Sequence, residues 1–204
     1  MHVVVFNGSP RKNGNTSILL GTVRRELEAA GVTTEEFRVG GKAVRGCIAC
    51  MKCFEKQDGQ CIQTGDPMNE WIAAMHKADG VILGSPTYFA NVSTEMKALI
   101  DRAGMVSIAN GGALRMKVGA PVVAVRRGGA QQVYNGLMAF FGIAEMVVPC
   151  SSYWNVGIGL APGDVNGDEE GIRTMVNLGR NMAHVLKCLK SGPEAPASLK
   201  GGEV

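Results

Sequence analysis

The chain has 204 residues, of which 46% are hydrophobic and 19% are charged. This length and composition fit a folded globular protein and exclude a wholly disordered chain. The net charge of +3 is too small to indicate a nucleic-acid or anionic-membrane partner, and no apolar run reaches the ~18–20 residues of a membrane span.

The predicted elements alternate between short apolar runs and longer amphipathic segments. A continuous apolar run predicts a buried strand, whereas apolar residues three or four positions apart predict a helix. In chain order the predictions are strand 3–6, helix 16–30, strand 33–39, helix 66–78, strand 80–84, helix 93–103, strand 120–125, helix 131–141, strand 145–149 and helix 169–189.

Five strand–helix repeats predict an α/β fold, a three-layer sandwich in which helices cover both faces of a five-stranded parallel sheet. Five strands favour the flavodoxin-like strand order over the six-stranded dinucleotide-binding order. In such sheets ligands bind beyond the carboxyl ends of the strands. The loops after Phe6, Leu83 and Val125 are therefore the candidate ligand loops.

The elements predict one domain over residues 1–190, with a cysteine-rich insert at 46–62. Residues 191–204 are rich in Pro, Gly, Lys and Glu and are predicted to form a flexible tail. The first residues lack a basic leader followed by a small-residue cleavage site, so we expect a cytoplasmic protein.

The loop after the first strand is rich in hydrogen-bond donors. It reads Asn7-Gly-Ser-Pro-Arg-Lys-Asn-Gly-Asn-Thr-Ser17 and leads into a predicted helix, whose free N–H groups and dipole favour a phosphate. It matches neither the nucleoside-triphosphate P-loop nor Gly-x-Gly-x-x-Gly. Its donors suit a terminal phosphomonoester. The candidate phosphate ligands are Ser9, Arg11, Asn15, Thr16 and Ser17.

The segment Gly8-Ser-Pro-Arg-x-x-Gly-Asn-Thr-Ser17, placed after an N-terminal strand, resembles the phosphate loop of the NAD(P)H-dependent FMN reductases. These are flavoproteins of the flavodoxin fold. The resemblance extends over nearly all of residues 1–189. It implies FMN as the cofactor and activity as an FMN-dependent oxidoreductase.

The loop after the third strand is aromatic and reads Gly84-Ser-Pro-Thr-Tyr-Phe-Ala-Asn91. Two aromatic rings and an amide at the end of a buried strand can face a planar ring and its polar edge. The loop is similar to the Ser-Pro-x-Tyr-Phe segment that lines the isoalloxazine in the family, where Gly often replaces Ala90. The resemblance assigns contacts with the flavin ring to Pro86, Thr87, Tyr88, Phe89 and Asn91.

The loop after the fourth strand carries Arg126, Arg127, Gly128 and Gly129. Paired glycines allow the backbone to approach a ligand closely. In the family this loop touches the pyrimidine side of the flavin, so Arg127, Gly128 and Gly129 are candidate FMN contacts, and either arginine can stabilise the negative charge of the reduced ring. Hydride arrival at a flavin needs no side-chain acid or base, and we predict no catalytic residue.

Four of the six cysteines are clustered, which is more typical of a metal site than of a disulfide framework. The clustered residues are Cys47, Cys50, Cys53 and Cys61. Their spacing resembles the compact Cys-x2-Cys-x2-Cys run of ferredoxins, while zinc and redox-active thiols stay open as alternatives. Within the FMN reductase superfamily the pattern looks like that of the iron–sulfur flavoproteins, which implies a [4Fe-4S] cluster. Cys150 and Cys188 are predicted to be buried structural residues.

The combined prediction is an FMN-dependent oxidoreductase of the iron–sulfur flavoprotein type, transferring electrons through FMN and a [4Fe-4S] cluster. The alternatives are an NAD(P)H-dependent FMN or quinone reductase without a cluster, and a flavin redox carrier or sensor without turnover. The predicted redox partner is NAD(P)H, a quinone or a ferredoxin. Relatives are dimers or tetramers, which implies a homodimer or homotetramer. We expect no nucleic-acid or membrane partner.

Overall fold

The structure, a computed structural model, describes residues 1–196. Its strands are β1 (His2–Asn7), β2 (Thr33–Arg38), β3 (Gly80–Pro86), β4 (Val118–Val125) and β5 (Val156–Ile158). Its α-helices are α1 (Asn15–Ala29), α2 (Lys52–Lys56), α3 (Met68–Lys77), α4 (Thr94–Ala109), α5 (Ala130–Ile143) and α6 (Glu169–Ser191). A short 3₁₀ helix covers Asp164–Gly167.

The strands form one sheet in the order β2-β1-β3-β4-β5, and every neighbouring pair is parallel. This is the flavodoxin-like order, so the predicted fold class is confirmed. The order reverses direction between β1 and β3, and the loops that follow these two strands are therefore neighbours.

Helices cover both faces of the sheet, because successive side chains of a strand point to opposite sides. Val3 and Val5 of β1 pack in one apolar cluster with α1 and α6, whereas Val4 and Phe6 pack in a second cluster with α3, α4 and α5. All four of these side chains are fully buried. The continuous apolar run in β1 is thus explained by burial on two sides, and the three-layer arrangement is confirmed.

The fifth strand was predicted in the wrong place. At 145–149 only Val147 forms an isolated bridge, with Val118 at the start of β4, whereas β5 (Val156–Ile158) pairs with the end of β4. Glu145 has a left-handed φ of 52°, and Pro149 has no N–H for a strand ladder. The chain therefore leaves the sheet after the bridge at Val147 and returns nine residues later, at Val156.

The expectation that Cys150 and Cys188 are buried is also wrong, since both thiols are exposed. Cys188 lies on α6 outside the face that carries the buried Met182 and Leu186, and its sulfur is 3.5 Å from Nε2 of His184. Cys150 lies in the connection that leaves the sheet before β5.

Helix α6 ends at Ser191, and residues 197–204 of the predicted tail lie outside the described residues. The division into a domain of residues 1–190 and a flexible tail stays a prediction. Among residues 1–196, no helix is long and apolar enough to cross a membrane.

Candidate functional site

Three loops meet at the carboxyl edge of the sheet, because they follow the adjacent strands β1, β3 and β4. The Gly8 N–H donates to the Gly84 carbonyl at 2.7 Å, which joins the first loop to the second. The Thr87 N–H donates to the Ala124 carbonyl at 2.8 Å, which joins the second loop to the end of β4. The three candidate ligand loops are thus brought together as one site.

The first loop leads into α1. Among the described residues, no side chain caps the N–H groups in the first turn of this helix. Its first turn also lacks acidic residues, whereas α4 is capped by Ser93. Ser9 is buried; its N–H donates to Oδ1 of Asn7, and its Oγ accepts from the Arg11 N–H at 3.2 Å. The loop is therefore pinned at its base, and its end offers backbone donors to an anion.

Other predicted phosphate ligands already bind protein atoms. The Asn15 side chain donates to the Ala161 carbonyl at 3.0 Å and accepts from the Gly163 N–H at 3.0 Å. Arg11 Nη1 donates to the Leu160 carbonyl at 3.3 Å. The hydroxyl of Ser17 donates to the Lys12 carbonyl, and Thr16 is buried in the first turn of α1.

These contacts add a fourth loop to the site, residues 159–165 after β5, which is not among the three loops predicted from the sequence. A Cβ at Gly159 would lie 2.7 Å from Nδ2 of Asn15. Glycine therefore allows the Asn15 side chain to lie close to the backbone of this loop. Gly159 and Gly163, which follow β5, are the sequence signal for this loop, but a fifth strand at 145–149 does not lead into them.

The aromatic loop is a two-residue hairpin turn. The N–H of Tyr88 donates to the carbonyl of Asn91 at 2.9 Å, and the reverse bond measures 3.0 Å. Phe89 and Ala90 form the turn with left-handed φ values of 48° and 59°. This conformation explains why glycine suits position 90, and it leaves the Phe89 ring fully exposed.

The second and third loops touch at Gly129. This residue has a φ of 88°, and a Cβ added to it would lie 3.2 Å from the Cα of Ala90. Close by, Thr87 Oγ1 is buried without a hydrogen-bond partner among residues 1–196. Arg127 and Gly128 are exposed on the same loop. A buried hydroxyl normally has a partner, so this orphaned oxygen fits a polar ligand edge such as that of a flavin.

The four clustered cysteines line one cavity on the segment between β2 and α3. All four thiols are free; Cys47 and Cys50 are exposed, whereas Cys53 and Cys61 are half-buried. Burial raises the pKa of the Cys53 thiol. Residues 1–196 contain no group of three or more His, Cys, Asp or Glu side chains that could hold a metal ion as it stands.

The backbone around Cys50 is held in an uncommon conformation. Ala49 and Met51 flank it with left-handed φ values of 51° and 58°. The N–H of Ala49 donates to Sγ of Cys47 at 3.4 Å. Left-handed residues of this kind are concentrated at functional sites, and concave backbone that presents N–H groups is a recurring feature of iron–sulfur loops. The donor set and the backbone therefore fit a cluster bound by thiolates.

A family model and several known proteins are similar to this chain over most of its length. Residues 1–161 match the family model of NADPH-dependent FMN reductase. An iron-sulfur flavoprotein of Methanocaldococcus jannaschii is 38% identical over 197 residues, covering 93% of this chain and all of that protein. An iron-sulfur flavoprotein of Archaeoglobus fulgidus is 34% identical over 187 residues, covering 92% of this chain and 81% of that protein.

Solved structures agree on the fold. RosB with a bound intermediate, 8-demethyl-8-formylriboflavin-5'-phosphate, superposes with a TM-score of 0.76 at 18% identity, covering 95% of this chain and 82% of that one. The NAD(P)H:quinone oxidoreductase of Methanothermobacter marburgensis gives a TM-score of 0.62 at 15% identity, covering 90% of this chain and 98% of that one.

Proposed function

The chain belongs to the NADPH-dependent FMN reductase family, and from that premise we propose that it passes electrons between FMN and a [4Fe-4S] cluster held by its four clustered cysteines. It is an FMN-dependent oxidoreductase. FMN, when bound, exchanges two electrons with a hydride donor and single electrons with a one-electron centre. The protein would bind the two cofactors, set the distance between them and exclude water from the flavin ring.

The proposed FMN site uses the loops at the carboxyl edge of the sheet. The uncapped start of α1, with Ser9, Thr16 and Ser17 beside it, would hold the phosphate. Pro86 and Thr87, at the carboxyl end of β3, would contact the flavin ring. The other proposed contacts lie in the hairpin turn after β3 and in the loop after β4: Tyr88, Phe89, Asn91, Arg127, Gly128 and Gly129. Arg11 and Asn15 act in this proposal by fixing the loop against residues 159–165.

Replacing Thr87 with valine tests the flavin part of the proposal. The buried Oγ1 of Thr87 has no protein partner among the described residues, so we expect the flavin-free protein to be as stable as wild type or slightly more stable. FMN affinity should fall about tenfold, the effect of one lost hydrogen bond to the ligand. Titration of the flavin-free protein with FMN, followed by fluorescence, measures this.

The conservative variant Thr87→Ser is the matched control, since it keeps the hydroxyl and should keep FMN affinity within about twofold of wild type. Equal FMN affinity in Thr87→Val and wild type would remove this oxygen from the binding site. Loss of affinity in Thr87→Ser alone would indicate that the methyl group acts through packing instead.

The four free thiols on one cavity carry the cluster part of the proposal. A zinc ion needs four ligands around one point, whereas each cysteine of a [4Fe-4S] cluster binds a separate iron atom. Four free thiols on one cavity supply the number of cysteine ligands that such a cluster needs. The left-handed residue Ala49 adds support, because its backbone N–H donates to Sγ of Cys47.

Metal and sulfide analysis of protein purified without oxygen tests this proposal. We expect flavin absorption bands together with about four iron and four sulfide per chain. Flavin with no iron would reject the cluster and leave an NAD(P)H-dependent FMN or quinone reductase. Stopped-flow reduction of the bound flavin by NADH, NADPH or reduced ferredoxin then identifies the electron donor, and reduction without turnover of any acceptor would favour a redox carrier.

We further propose that the chain forms a homodimer or homotetramer and acts in the cytoplasm with a small-molecule or protein redox partner. Large apolar side chains are exposed around the carboxyl edge of the sheet, which is typical of a surface that another chain covers. These side chains are Tyr88, Phe89, Ile158 and Leu160, and the exposed Tyr153 and Trp154 lie just before β5.

A further inference from the structure

Helix α4 buries a positive charge beneath the cysteine segment. The side chain of Arg102 has no exposed surface and is among the largest fully buried side chains of the described residues. Arginine is almost never buried unless its donors are paired, because removing a charge from water is costly. Its partners therefore indicate what the residue does.

Those partners all belong to the cysteine segment or its flanks. Nη1 donates to the Arg45 carbonyl at 3.2 Å, and Nη2 donates to the Gln63 carbonyl at 2.7 Å. Arg45 lies two residues before the first clustered cysteine, and Gln63 lies two residues after the last. One guanidinium thus joins both ends of the loop that carries the four thiols.

The same guanidinium holds the fourth cysteine directly. Nε of Arg102 donates to Sγ of Cys61 at 3.3 Å. Nη1 also forms an ion pair with Asp66, whose side chain is 6% exposed. Burial alone would raise the pKa of Asp66, but hydrogen bonds from Arg102, Arg45 and Met68 outweigh it and keep this pKa below its usual value. Asp66 is therefore charged at neutral pH, and its negative charge balances the positive charge of the buried Arg102.

We propose that Arg102 is the positioning residue of the cysteine segment: it closes the loop and fixes Cys61 before metal binds, and its N–H···S bond raises the reduction potential of the bound cluster. Closing a loop costs conformational entropy, and a closure made in advance lowers the cost of binding a metal. A donor from a cation stabilises the more negative, reduced form of a thiolate-bound cluster. The effect on the potential rests on the proposed function, whereas the closure of the loop does not.

Only the arginine fork can make this set of contacts. Its planar donors reach two carbonyls, one carboxylate and one sulfur at fixed angles, whereas a lysine ammonium is a compact charge with three donors on a flexible stem. Arg102→Lys therefore keeps the charge and loses the geometry. Because removing one member of a buried pair can unfold a protein, the double variant Arg102→Met/Asp66→Asn removes both charges together.

The test measures hydrogen–deuterium exchange across residues 45–63 in the full-length, iron-free, FMN-loaded protein. In the wild type the Arg45 amide donates to Asp66 and the Cys61 amide donates to Asn69. In Arg102→Lys or the double variant we expect at least tenfold faster exchange at these two amides. Lys97→Gln, which breaks an exposed ion pair with Asp101 on the same helix, is the control and should exchange as wild type does. Protected amides in β1 confirm that each variant is folded.

The second measurement is the midpoint potential of the iron-loaded variants. We expect reduction to become about tenfold less favourable without the Arg102 fork, a decrease of about 59 mV for a one-electron couple. Unchanged exchange in the iron-free variants would overturn the proposal whether or not the wild type binds iron. Faster exchange with an unchanged midpoint potential would overturn the proposed effect of Arg102 on the reduction potential. Faster exchange in a protein that binds no iron would support the closure of the loop and reject both the cluster and its tuning.

Discussion

Replacing Gly40 with alanine is expected to weaken FMN binding by about 100-fold. Gly40 follows β2, and a Cβ built on it would lie 2.3 Å from the carbonyl carbon of Ser9 and 2.5 Å from the carbonyl oxygen of Gly8. Both are backbone atoms of the proposed phosphate loop, so the loop rather than a flexible side chain must move. A displacement near 1 Å is enough to cost about two orders of magnitude where a ligand is held by directional contacts.

The loop cannot move freely, because Gly8 is tied to Gly84 and Ser9 is tied to Asn7. Overpacking of this kind also destabilises a fold by about 1–3 kcal/mol. FMN titration and urea unfolding of the same variant separate the two effects. Gly46→Ala is the matched control, since nothing lies within 4 Å of its added Cβ, and both its affinity and its stability should stay near wild type. Wild-type affinity in Gly40→Ala would place the phosphate elsewhere.

The architecture and the convergence of the three candidate ligand loops could be predicted from the sequence because they follow from local patterns. The four-residue apolar run of β1 is buried on both faces, and only a central strand of a covered parallel sheet needs such a run. Once the strands are parallel and in this order, their carboxyl ends must meet, so loops distant in the chain become neighbours. The contact between Gly8 and Gly84 follows from that geometry.

The position of β5 could not be predicted because its pattern is weak. Residues 145–149 carry a more apolar run than β5 (Val156–Ile158), yet Glu145 adopts a left-handed conformation and Pro149 prevents further pairing. The misplaced strand hid the loop at 159–165 and its contacts with Arg11 and Asn15. Because the edge strand β5 was predicted in the wrong place, the loop that follows it could not be predicted as part of the site.

The role of Arg102 could not be predicted either, because it depends on contacts that are distant in the chain. In the sequence Arg102 is one charged residue of an amphipathic helix, and such residues usually face water. Its partners lie 36 to 57 residues earlier, and only the packing of α4 against the cysteine segment brings them together. The spacing of the cysteines predicts a metal site, but it does not identify the residue that we propose to hold the segment closed.

The double variant Cys50→Ser/Cys53→Ser is expected to lose all of the bound iron and sulfide while FMN affinity stays within about twofold of wild type. Serine is close to cysteine in size but is a poor ligand for iron, and the loss of two of four thiolates leaves too few ligands to hold a cluster. The FMN loops make their contacts with the other strand ends, so their geometry should persist. Iron, zinc and acid-labile sulfide are measured on protein purified without oxygen.

Cys150→Ser/Cys188→Ser is the matched control, because both thiols are free and exposed but lie outside the segment, and it should keep about four iron per chain. The same measurements separate the three chemistries that the spacing leaves open. About one zinc per wild-type chain, lost in the Cys50→Ser/Cys53→Ser variant, would establish a zinc site instead. No metal in either protein, with a pair of thiols that oxidises reversibly only when Cys50 and Cys53 are present, would establish a thiol redox pair. Either result would contradict the cluster. The zinc site would leave FMN as the electron-transfer centre, whereas the thiol pair would be a second, two-electron centre beside it.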